Sequence, residues 1–406
     1  MMSRIKTSVS SQNNLEKPRQ AGQEQDISWS IPAFVLPRAG NGGLSVMSKV
    51  KGMQSLAFEK EVYIHGAASV VGKLEGEGPL GKYFDLVEED PMMGADSWEE
   101  AESRMQMKAA GKALEKAGVR AEQIRMIFAG DLLAQSIASS FSSVELARPV
   151  YGLFGACSVI GEALALGTMA VAAGYADHVL AMTSSHFGSA EKEFRFPLAY
   201  GNQRPPSATW TVTGSAACVL GRARRRAAVA GVTTGRIVDY GLKDSQNMGA
   251  CMAPAACDTI CRHFMDFNRQ PEEYDRIITG DLGIVGQEIL LELLRQKGYD
   301  ISKQHEDCGI MIYDDKRQDT GAGGSGCACS ATVFASCILP RIEDGTWKRV
   351  LFVPTGALMS KVSFYEGQSV PGIAQAVILE HEGTGRRFDG DRIRAAVERR
   401  NDNAAE

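Results

Sequence analysis

The sequence predicts an α/β fold made of two duplicated halves that stack as five layers in the order α-β-α-β-α. Three short segments occur twice, in the same order along the chain. The paired segments are residues 125–132 and 276–282, residues 156–158 and 328–330, and residues 179–184 and 350–355. In each half one central helix is almost wholly apolar, as expected of a helix covered on all sides. We therefore expect the two central helices to lie between two sheets.

The composition is that of an ordinary globular chain with ample core. Of the 406 residues, 44% are hydrophobic and 23% are charged. A net charge of −5 gives no broad electrostatic footprint for nucleic acid, so we expect no such partner. One local cluster stands out, and we interpret it as a solvated loop, with a polyanion site as the alternative. It consists of Arg222, Arg224, Arg225 and Arg226.

The two ends of the chain differ from the rest. Residues 1–52 are largely polar and contain no apolar run like that of a secretion signal. They predict a disordered tail or a misassigned start, with Met47 as the alternative to Met1. Residues 388–406 form a charged tail. The N-terminal half is expected over residues 53–235 and the C-terminal half over residues 236–387.

The first half alternates strands with helices. The predicted helix after Ser97 begins with a capping box to Glu100 and stops at Gly118. The central helix stops at Gly174. Short connections between these elements predict a parallel sheet covered on both faces. In order, the elements are a strand at 62–70, a loop at 72–91, a helix at 97–117, a strand at 126–129, a helix at 133–147, a strand at 151–154, a helix at 158–173 and a strand at 179–183.

The second half repeats this scheme. Its last helix is opened by a glycine-rich turn at residues 321–326, comparable to the turn before the first central helix. The predicted elements are helices at 254–267, 286–297 and 330–339, and strands at 277–279, 311–313 and 350–353.

Membrane insertion and metal binding find little support in the sequence. We find no segment with the roughly 18 consecutive apolar residues that span a bilayer, so any membrane association is expected to be peripheral or through partners. Nine cysteines are scattered without zinc spacing. They predict reduced, mostly buried thiols, with no metal site and no cofactor.

Cys157 is the main candidate for chemistry. It follows Gly155 and Ala156 and lies on the first turn of the predicted central helix. Free N–H groups and the positive end of the helix dipole favour a thiolate or another anion there. A reactive thiol and an inert core thiol both remain open. Cys329 holds the equivalent position in the second copy and is expected to pack in the core.

These features resemble the thiolase superfamily, in which the nucleophilic cysteine of thiolases and ketoacyl synthases begins the central helix of the first half. More closely, the sequence resembles the stage V sporulation protein AD family, which has a thiolase-like fold. The resemblance covers residues 53–385. The stretches that carry it are residues 128–133, 153–158, 183–186, 211–215, 244–246, 252–256 and 322–330.

Two of the three catalytic groups of the enzymes are replaced. The enzymes add two histidines, or a histidine and an asparagine, to the cysteine. Asp281 stands in the place of the first, and Ser325 in that of the second. An aspartate repels an oxyanion and a serine is a weak donor, so we expect ordinary acyl transfer to be lost. The alternative is a cysteine-dependent acyltransferase or ketoacyl synthase-like enzyme that uses Cys157 with His186 or His305.

A cleft lined by helix N-termini and small donors still suits a small carboxylate. The resemblance implies that this ligand is dipicolinic acid, a flat dianion when ionised. Arg195 and Arg204 are candidates for a bidentate clamp, with a surface role as the alternative. Asp131 and Asp281 are expected to cap the helices that follow them. The predicted ligand-binding residues are Cys157, His186, Asp281, His305, Ser325 and Cys327.

The resemblance also implies a setting. It suggests a non-catalytic protein of sporulation and spore germination, peripheral on the inner membrane of the forespore and spore. Its partners would be membrane proteins of the stage V sporulation A operon, with which it moves dipicolinate into the spore and releases it. A homodimer through edge strands of the first half is expected from the superfamily. A scaffold with a collapsed cleft is a further alternative.

Overall fold

The computed structural model describes residues 49–194 and 204–384. Most of the predicted N-terminal tail, Met47, Arg195 and the predicted C-terminal tail lie outside the described residues.

The described part of the chain alternates strands with helices as predicted, with several short additional elements. The strands are β1 Val50–Lys51, β2 Ser55–Gly72, β3 Leu86–Glu88, β4 Met126–Gly130, β5 Val150–Gly152, β6 His178–Ser185, β7 Trp210–Thr211, β8 Gly214–Gly221, β9 Ala227–Thr233, β10 Arg276–Thr279, β11 His305–Asp307, β12 Gly324–Ser325, β13 Arg349–Val353, β14 Thr355–Ala357, β15 Gly372–Ala374 and β16 Ala376–His381. The helices are α1 Lys73–Gly76, α2 Trp98–Ala117, α3 Ile137–Leu146, α4 Val159–Ala173, α5 Phe187–Phe194, α6 Met248–Phe267, α7 Gly283–Gln296, α8 Cys308–Ile312, α9 Asp315–Gln318, α10 Cys327–Val333, α11 Leu339–Glu343 and α12 Lys361–Tyr365.

Two sets of five strands repeat one topology, which confirms the duplication. The first set runs β5-β4-β6-β8-β2 and the second runs β11-β10-β13-β16-β9. Numbered along the chain, both orders are third, second, fourth, fifth, first. The first three strands in each order are parallel to one another, and the last two join by antiparallel pairing. The strands that alternate with helices are parallel as predicted, and the antiparallel strands that join them make the sheet mixed.

The two sets are also hydrogen-bonded to each other. The long strand β2 pairs with β8 over its C-terminal part and with β9 over its N-terminal part. Its register against β9 shifts between Ala57 and Val62. The predicted two sheets consequently form one continuous sheet through β2 and β9.

Alternating side chains along the strands divide the core into layers. On β13, Val350 and Phe352 join the central cluster that contains α4 and α10. Leu351 and Val353 instead join the outer cluster beneath α6 and α7. Ile127 of β4 likewise faces the outer helix α2. Because a strand has a side-chain period of two, each set is covered on both faces, giving the predicted order α-β-α-β-α.

Helix ends follow the sequence signals. The Ser97 hydroxyl accepts a hydrogen bond from the Glu100 N–H at 3.2 Å, so α2 begins where the capping box placed it. Gly118 and Gly174 end α2 and α4 with φ values of 65° and 90°, which glycine adopts at little cost.

Three local predictions need correction. Residues 311–313 are not a strand, because the Asp307 carboxylate caps Gly309 and starts helix α8. The predicted loop at 72–91 contains the short elements α1 and β3. Strands β8, β9 and β16 were not predicted, because they are buried on both faces and so lack an alternating pattern.

One stretch passes the length and apolarity test for crossing a membrane, contrary to the prediction that none would. It comprises the 18 residues Ala156–Ala173, and 61% of it is buried inside the structure. It is the central helix α4 with its preceding turn, and most of its residues pack against the sheet and α10.

Candidate functional site

Cys157 lies on a tight turn that leads into the central helix α4. The turn is the 3-10 segment Ala156–Ser158, and Ala156 adopts a φ of 49° in the left-handed region. The backbone of β14 passes directly beside it. A Cβ on Gly356 would lie 2.5 Å from the Gly155 carbonyl oxygen, so only glycine fits there. The turn is thus held by close backbone packing from the second half of the chain.

Asp281 and Ser325 meet the Cys157 thiol. Sγ of Cys157 lies 3.9 Å from Oγ of Ser325, and the thiol hydrogen-bonds with the Asp281 carboxylate. Asp281 also accepts hydrogen bonds from the Ser325 hydroxyl at 2.8 Å and the Gly326 N–H at 3.1 Å. A third donor is the hydroxyl of Thr355, at 2.8 Å. Asp281 is therefore the centre of a buried network joining both halves.

This environment keeps the thiol protonated. Burial raises the pKa of Cys157 well above its ordinary value, and the negative charge of Asp281 raises it further. Burial also raises the pKa of Asp281. The helix N-terminus, which in isolation favours a thiolate, is outweighed because the side chain is buried and faces a carboxylate. Cys157 is consequently a poor nucleophile as it stands.

The other two cysteines near the second glycine-rich turn are packed in the core. Cys327 Sγ donates to the Ala156 carbonyl at 3.0 Å, which places it against the Cys157 turn. Cys329 Sγ donates to the Gly280 carbonyl at 3.6 Å. Both are fully buried. All nine cysteines are buried, as predicted, and none is paired with another.

A cavity of about 270 Å³ opens beside the Cys157 turn. Its wall is mainly apolar, with a few polar groups from the start of α12. Of the predicted ligand residues, only Cys157 lies on this wall. Within the described residues the lining includes no lysine or arginine. The lining residues are Asp131, Leu132, Phe154, Ala156, Cys157, Met248, Ala357, Leu358, Met359, Ser360 and Ser363.

His186 is held by its surroundings rather than directed at Cys157. Nε2 lies 2.8 Å from the Pro91 carbonyl, and Nδ1 accepts a hydrogen bond from the Gly188 N–H at 3.0 Å. The ring also contacts Trp98, with centroids 5.1 Å apart. With both ring nitrogens engaged, His186 anchors the loop before α2.

His305 has a similar structural position on the edge strand β11. Its Nε2 lies 2.9 Å from the Thr279 hydroxyl, and its Nδ1 lies 3.0 Å from the Gln287 side-chain amide nitrogen. Burial lowers the pKa of His305 to about 4, so the ring is neutral at physiological pH. Neither histidine is arranged as a base for Cys157.

The symmetric aspartates have different roles. Asp131 accepts hydrogen bonds from the Leu133 and Ser139 N–H groups at 2.9 and 2.8 Å, so it caps the following helix as predicted. Asp281 does not, and that prediction was wrong. The cap before α7 is Asp307, which accepts from the Leu282 and Gly283 N–H groups at 3.0 Å. Because Asp281 does not cap α7, its carboxylate can accept the hydrogen bonds of the network around Cys157.

Arg204 is neither a ligand clamp in the cavity nor a free surface residue. Its guanidinium pairs with Glu191 at 2.5 Å and donates to the Thr209 carbonyl at 3.2 Å. It also lies over the rings of Trp210 and Phe187, 4.7 and 5.3 Å from their centroids. These contacts pin α5 to strand β7.

A second buried polar network, not predicted from the sequence, borders the cavity at Asp131. Glu102 accepts hydrogen bonds from the hydroxyls of Ser184 and Ser189 at 2.8 and 2.6 Å. The Ser139 hydroxyl donates to Asp131 at 2.7 Å. Burial, and then the negative charge of Asp131, raise the pKa of Glu102 to about 8. Glu102 therefore holds a proton near neutral pH, in a network that reaches the cavity wall at Asp131.

Several residues of the cavity wall and of the network around Cys157 were not predicted from the sequence. Ser360 and Ser363 follow β14 in a segment without a recognisable motif. Thr355 could have been found, because the duplication pairs it with Ser184, another buried hydroxyl that binds a carboxylate. Among residues 49–194 and 204–384, no group of three or more His, Cys, Asp or Glu side chains is arranged to hold a metal ion.

Comparison with known proteins identifies the family. The family model described as Stage V sporulation protein AD (SpoVAD) matches residues 52–380. The stage V sporulation protein AD of Bacillus subtilis (strain 168) is 40% identical over 335 residues, which are 82% of this chain and 99% of that protein. The chain belongs to the stage V sporulation protein AD family. This SpoVAD family member is accordingly a sporulation protein.

Solved structures show that the SpoVAD family member has a thiolase-like fold. A singly substituted OleA of Xanthomonas campestris bound with cerulenin aligns with a TM-score of 0.52 and 16% identity, covering 80% of this chain and 97% of that one. Another singly substituted OleA from the same organism aligns with a TM-score of 0.50 and 15% identity, covering 80% and 99%. At this level of identity the likeness concerns the fold alone.

The Asp281 charge predicts the reactivity of Cys157 towards alkylation. We expect Cys157 to resist iodoacetamide near neutral pH, and Asp281→Asn to speed its modification roughly tenfold or more, since removing a neighbouring negative charge lowers a thiol pKa by about one unit or more. Peptide mass mapping over time would measure the rate. Asp266→Asn is the matched control, because the Asp266 side chain is only 3% exposed but contacts Met53, Gln54 and Ser55. Equal Cys157 rates in the two variants would contradict this account.

Proposed function

We propose that this protein is a non-catalytic receptor for a small dicarboxylate, dipicolinate, in sporulation and germination. The observation that carries the proposal is the cavity beside Cys157, which keeps the place of an acyl site while Asp281 and the buried thiol remove its chemistry. Ser325 cannot replace a histidine, because its hydroxyl donates to Asp281.

The cavity has the character expected of a site for a flat aromatic acid. Its volume of about 270 Å³ suits a single small ring. Leu132, Phe154 and Met248 offer apolar contact to the ring faces. The hydroxyls of Ser360 and Ser363 lie on the wall; they hydrogen-bond to each other in the cap of α12, and we expect them to turn to a bound carboxylate instead. These donors are neutral, so they would orient the anion through hydrogen bonds and not through a positively charged side chain.

The family supplies the biological setting of the proposal. We infer that the protein acts peripherally at the inner membrane of the forespore and spore, with membrane proteins of the stage V sporulation A operon. Its own contribution would be to bind dipicolinate for uptake and release.

Blocking the cavity mouth tests the ligand site. Ser363 is half-buried on α12 and faces the cavity, whereas the preceding residue, Val362, is 67% exposed. We expect Ser363→Trp to weaken dipicolinate binding more than about tenfold, since a large ring would occupy ligand space at a cost above about 1.4 kcal/mol. Val362→Trp should bind like the wild type. Isothermal titration with calcium-free dipicolinate would measure both.

Benzoate is the control ligand for the same titration. It shares the ring and one carboxylate, so the second carboxylate should account for a measurable difference in affinity. An absence of dipicolinate binding by the folded wild type, equal affinity for benzoate, or equal weakening by both tryptophan variants would each count against the proposed site.

Dipicolinate binding should strengthen as pH falls. Asp131 lines the cavity, and burial raises its pKa in the free protein. A bound dianion would raise that pKa further, so binding takes up a proton and is favoured by acid. We expect affinity to increase as the pH is lowered, by at most about tenfold per unit, the limit for one proton. Titrations in buffers of different ionisation enthalpy would count the proton. Affinity that is flat or falls with acid would contradict proton uptake at Asp131.

An exposed apolar surface around strand β5 supports the homodimer that we also propose. Strand β5 ends the sheet, leaving one side of its backbone unpaired by the strands described. Such an edge can pair with that of a second copy. The exposed apolar side chains around it are Phe141, Val144, Val150, Tyr151 and Phe154.

A charge on this edge should separate the subunits. We expect Val150→Asp to convert a dimer into a monomer in sedimentation equilibrium, because the two substituted carboxylates would repel each other across the two-fold axis. Met265→Asp is the control, since Met265 is also exposed but lies on α6 in the second half of the chain. A monomeric wild type, or a dimer unaffected by Val150→Asp, would rule out this interface.

A further inference from the structure

A loop near the C-terminal end of α4, the end remote from the Cys157 turn, carries a cluster of positive charge, although the whole chain is acidic. It connects β8 to β9 over residues 222–226, and we call it the basic loop. Each of its five residues is exposed, and four are arginines, whereas the whole chain carries a net charge of −5. The sequence left a solvated loop and a polyanion site open. The ion pairs that each arginine forms in the structure help to decide between these two interpretations.

The basic loop is only partly neutralised. Arg222 lies 3.9 Å from the Asp177 carboxylate, a long contact between exposed side chains. Arg224 forms an ion pair with Glu382. Among the described residues, Arg225 and Arg226 make no ion pair within 4.0 Å. Arg226 lies near enough to Glu343 for its charge to act on the pKa of that carboxyl. Arg225 is therefore the arginine of the loop with the least compensated charge.

The positive charge of the loop affects the pKa values of two neighbouring histidines, His65 and His178. Burial, and then the charges of Arg225 and His178, lower the pKa of His65 to about 4. Arg225 also contributes to the lowered pKa of His178, after burial. The two rings stand edge to face with centroids 5.1 Å apart, and Nε2 of His65 lies 2.9 Å from the Ala223 carbonyl. Both histidines are thus neutral, and they support the loop instead of adding to its charge.

An exposed aromatic residue stands beside the basic loop. Tyr175 is 76% exposed and directly follows Gly174, where a Cβ would lie 3.0 Å from a guanidinium nitrogen of Arg222. Arginine side chains next to a protruding tyrosine are typical of surfaces that settle into lipid headgroups. A single projecting loop suits a flat anionic surface better than a nucleic-acid strand, which needs a longer basic track.

We propose that the basic loop docks the protein on an anionic phospholipid bilayer, with Arg222 and Arg225 among the headgroups and Tyr175 at the interface. The ligand cavity lies at the other end of α4, a helix of 15 residues and therefore about 22 Å long. The docking surface and the cavity are consequently separate. The inference rests on the proposed membrane setting, but it does not require that dipicolinate be the ligand.

Vesicle cosedimentation of the full chain tests the proposal. We expect binding to vesicles of phosphatidylglycerol mixed with phosphatidylcholine, weakening as salt is raised, and little binding to phosphatidylcholine alone. The double substitution Arg222→Glu with Arg225→Glu should weaken binding at least about 25-fold, since losing one arginine near an anionic surface costs about fivefold. Dipicolinate affinity should be the same in this variant, which separates failure of docking from failure of the ligand site.

A control variant makes the same charge change elsewhere. Arg295→Glu with Lys303→Glu alters exposed residues at and beyond the end of α7. It changes the net charge by the same amount as the loop variant, and it should bind vesicles within about twofold of the wild type. Because both termini also contain basic residues, the full chain must be used throughout. Equal loss in the two double variants, no binding by the wild type, or tighter loop-dependent binding to single-stranded RNA than to vesicles would overturn the assignment.

Discussion

The carboxylate of Asp281 joins the two halves where their central helices begin. It accepts hydrogen bonds from Ser325, Gly326 and Thr355 of the second half and contacts the Cys157 thiol of the first. A buried carboxylate with this many donors is satisfied and costly to remove. The same contact that fixes the shape of the cleft also suppresses the thiolate. Acyl transfer would need a thiolate at the position where this network keeps the thiol protonated.

Duplication created pairs of equivalent residues, and the structure shows how they diverged. Asp131 still caps the helix after its strand. Asp307 caps the corresponding helix of the second half, so Asp281 is no longer needed for that role. Of the two aspartates, Asp131 lines the cavity, whereas Asp281 binds the groups around the Cys157 thiol. Because these two equivalent aspartates now have different partners, the duplicated fold carries a single asymmetric site.

Much of the fold was predictable because repetition and periodicity are local properties. The duplicated segments, the capping box at Ser97 and the glycine stops at Gly118 and Gly174 all correspond to observed elements. The doubly buried strands β8, β9 and β16 were missed, since strands without a polar face carry no alternation. The helix at 308–312 was misread because the Asp307 side chain, rather than hydrophobic pattern, decides that segment.

The sequence by itself determined the two-half architecture and the position of Cys157 at the start of a central helix. The resemblance to the thiolase enzymes predicted that Asp281 stands where they carry a histidine. Only the tertiary structure decided what those residues do. His186 and His305 resembled pocket residues in the sequence, yet both ring nitrogens of each are engaged elsewhere. Ser360 and Ser363 became lining residues because α12 folds over the cavity. Protonation of the Cys157 thiol likewise depends on burial and on a carboxylate 124 positions away in the chain, which no local pattern can encode.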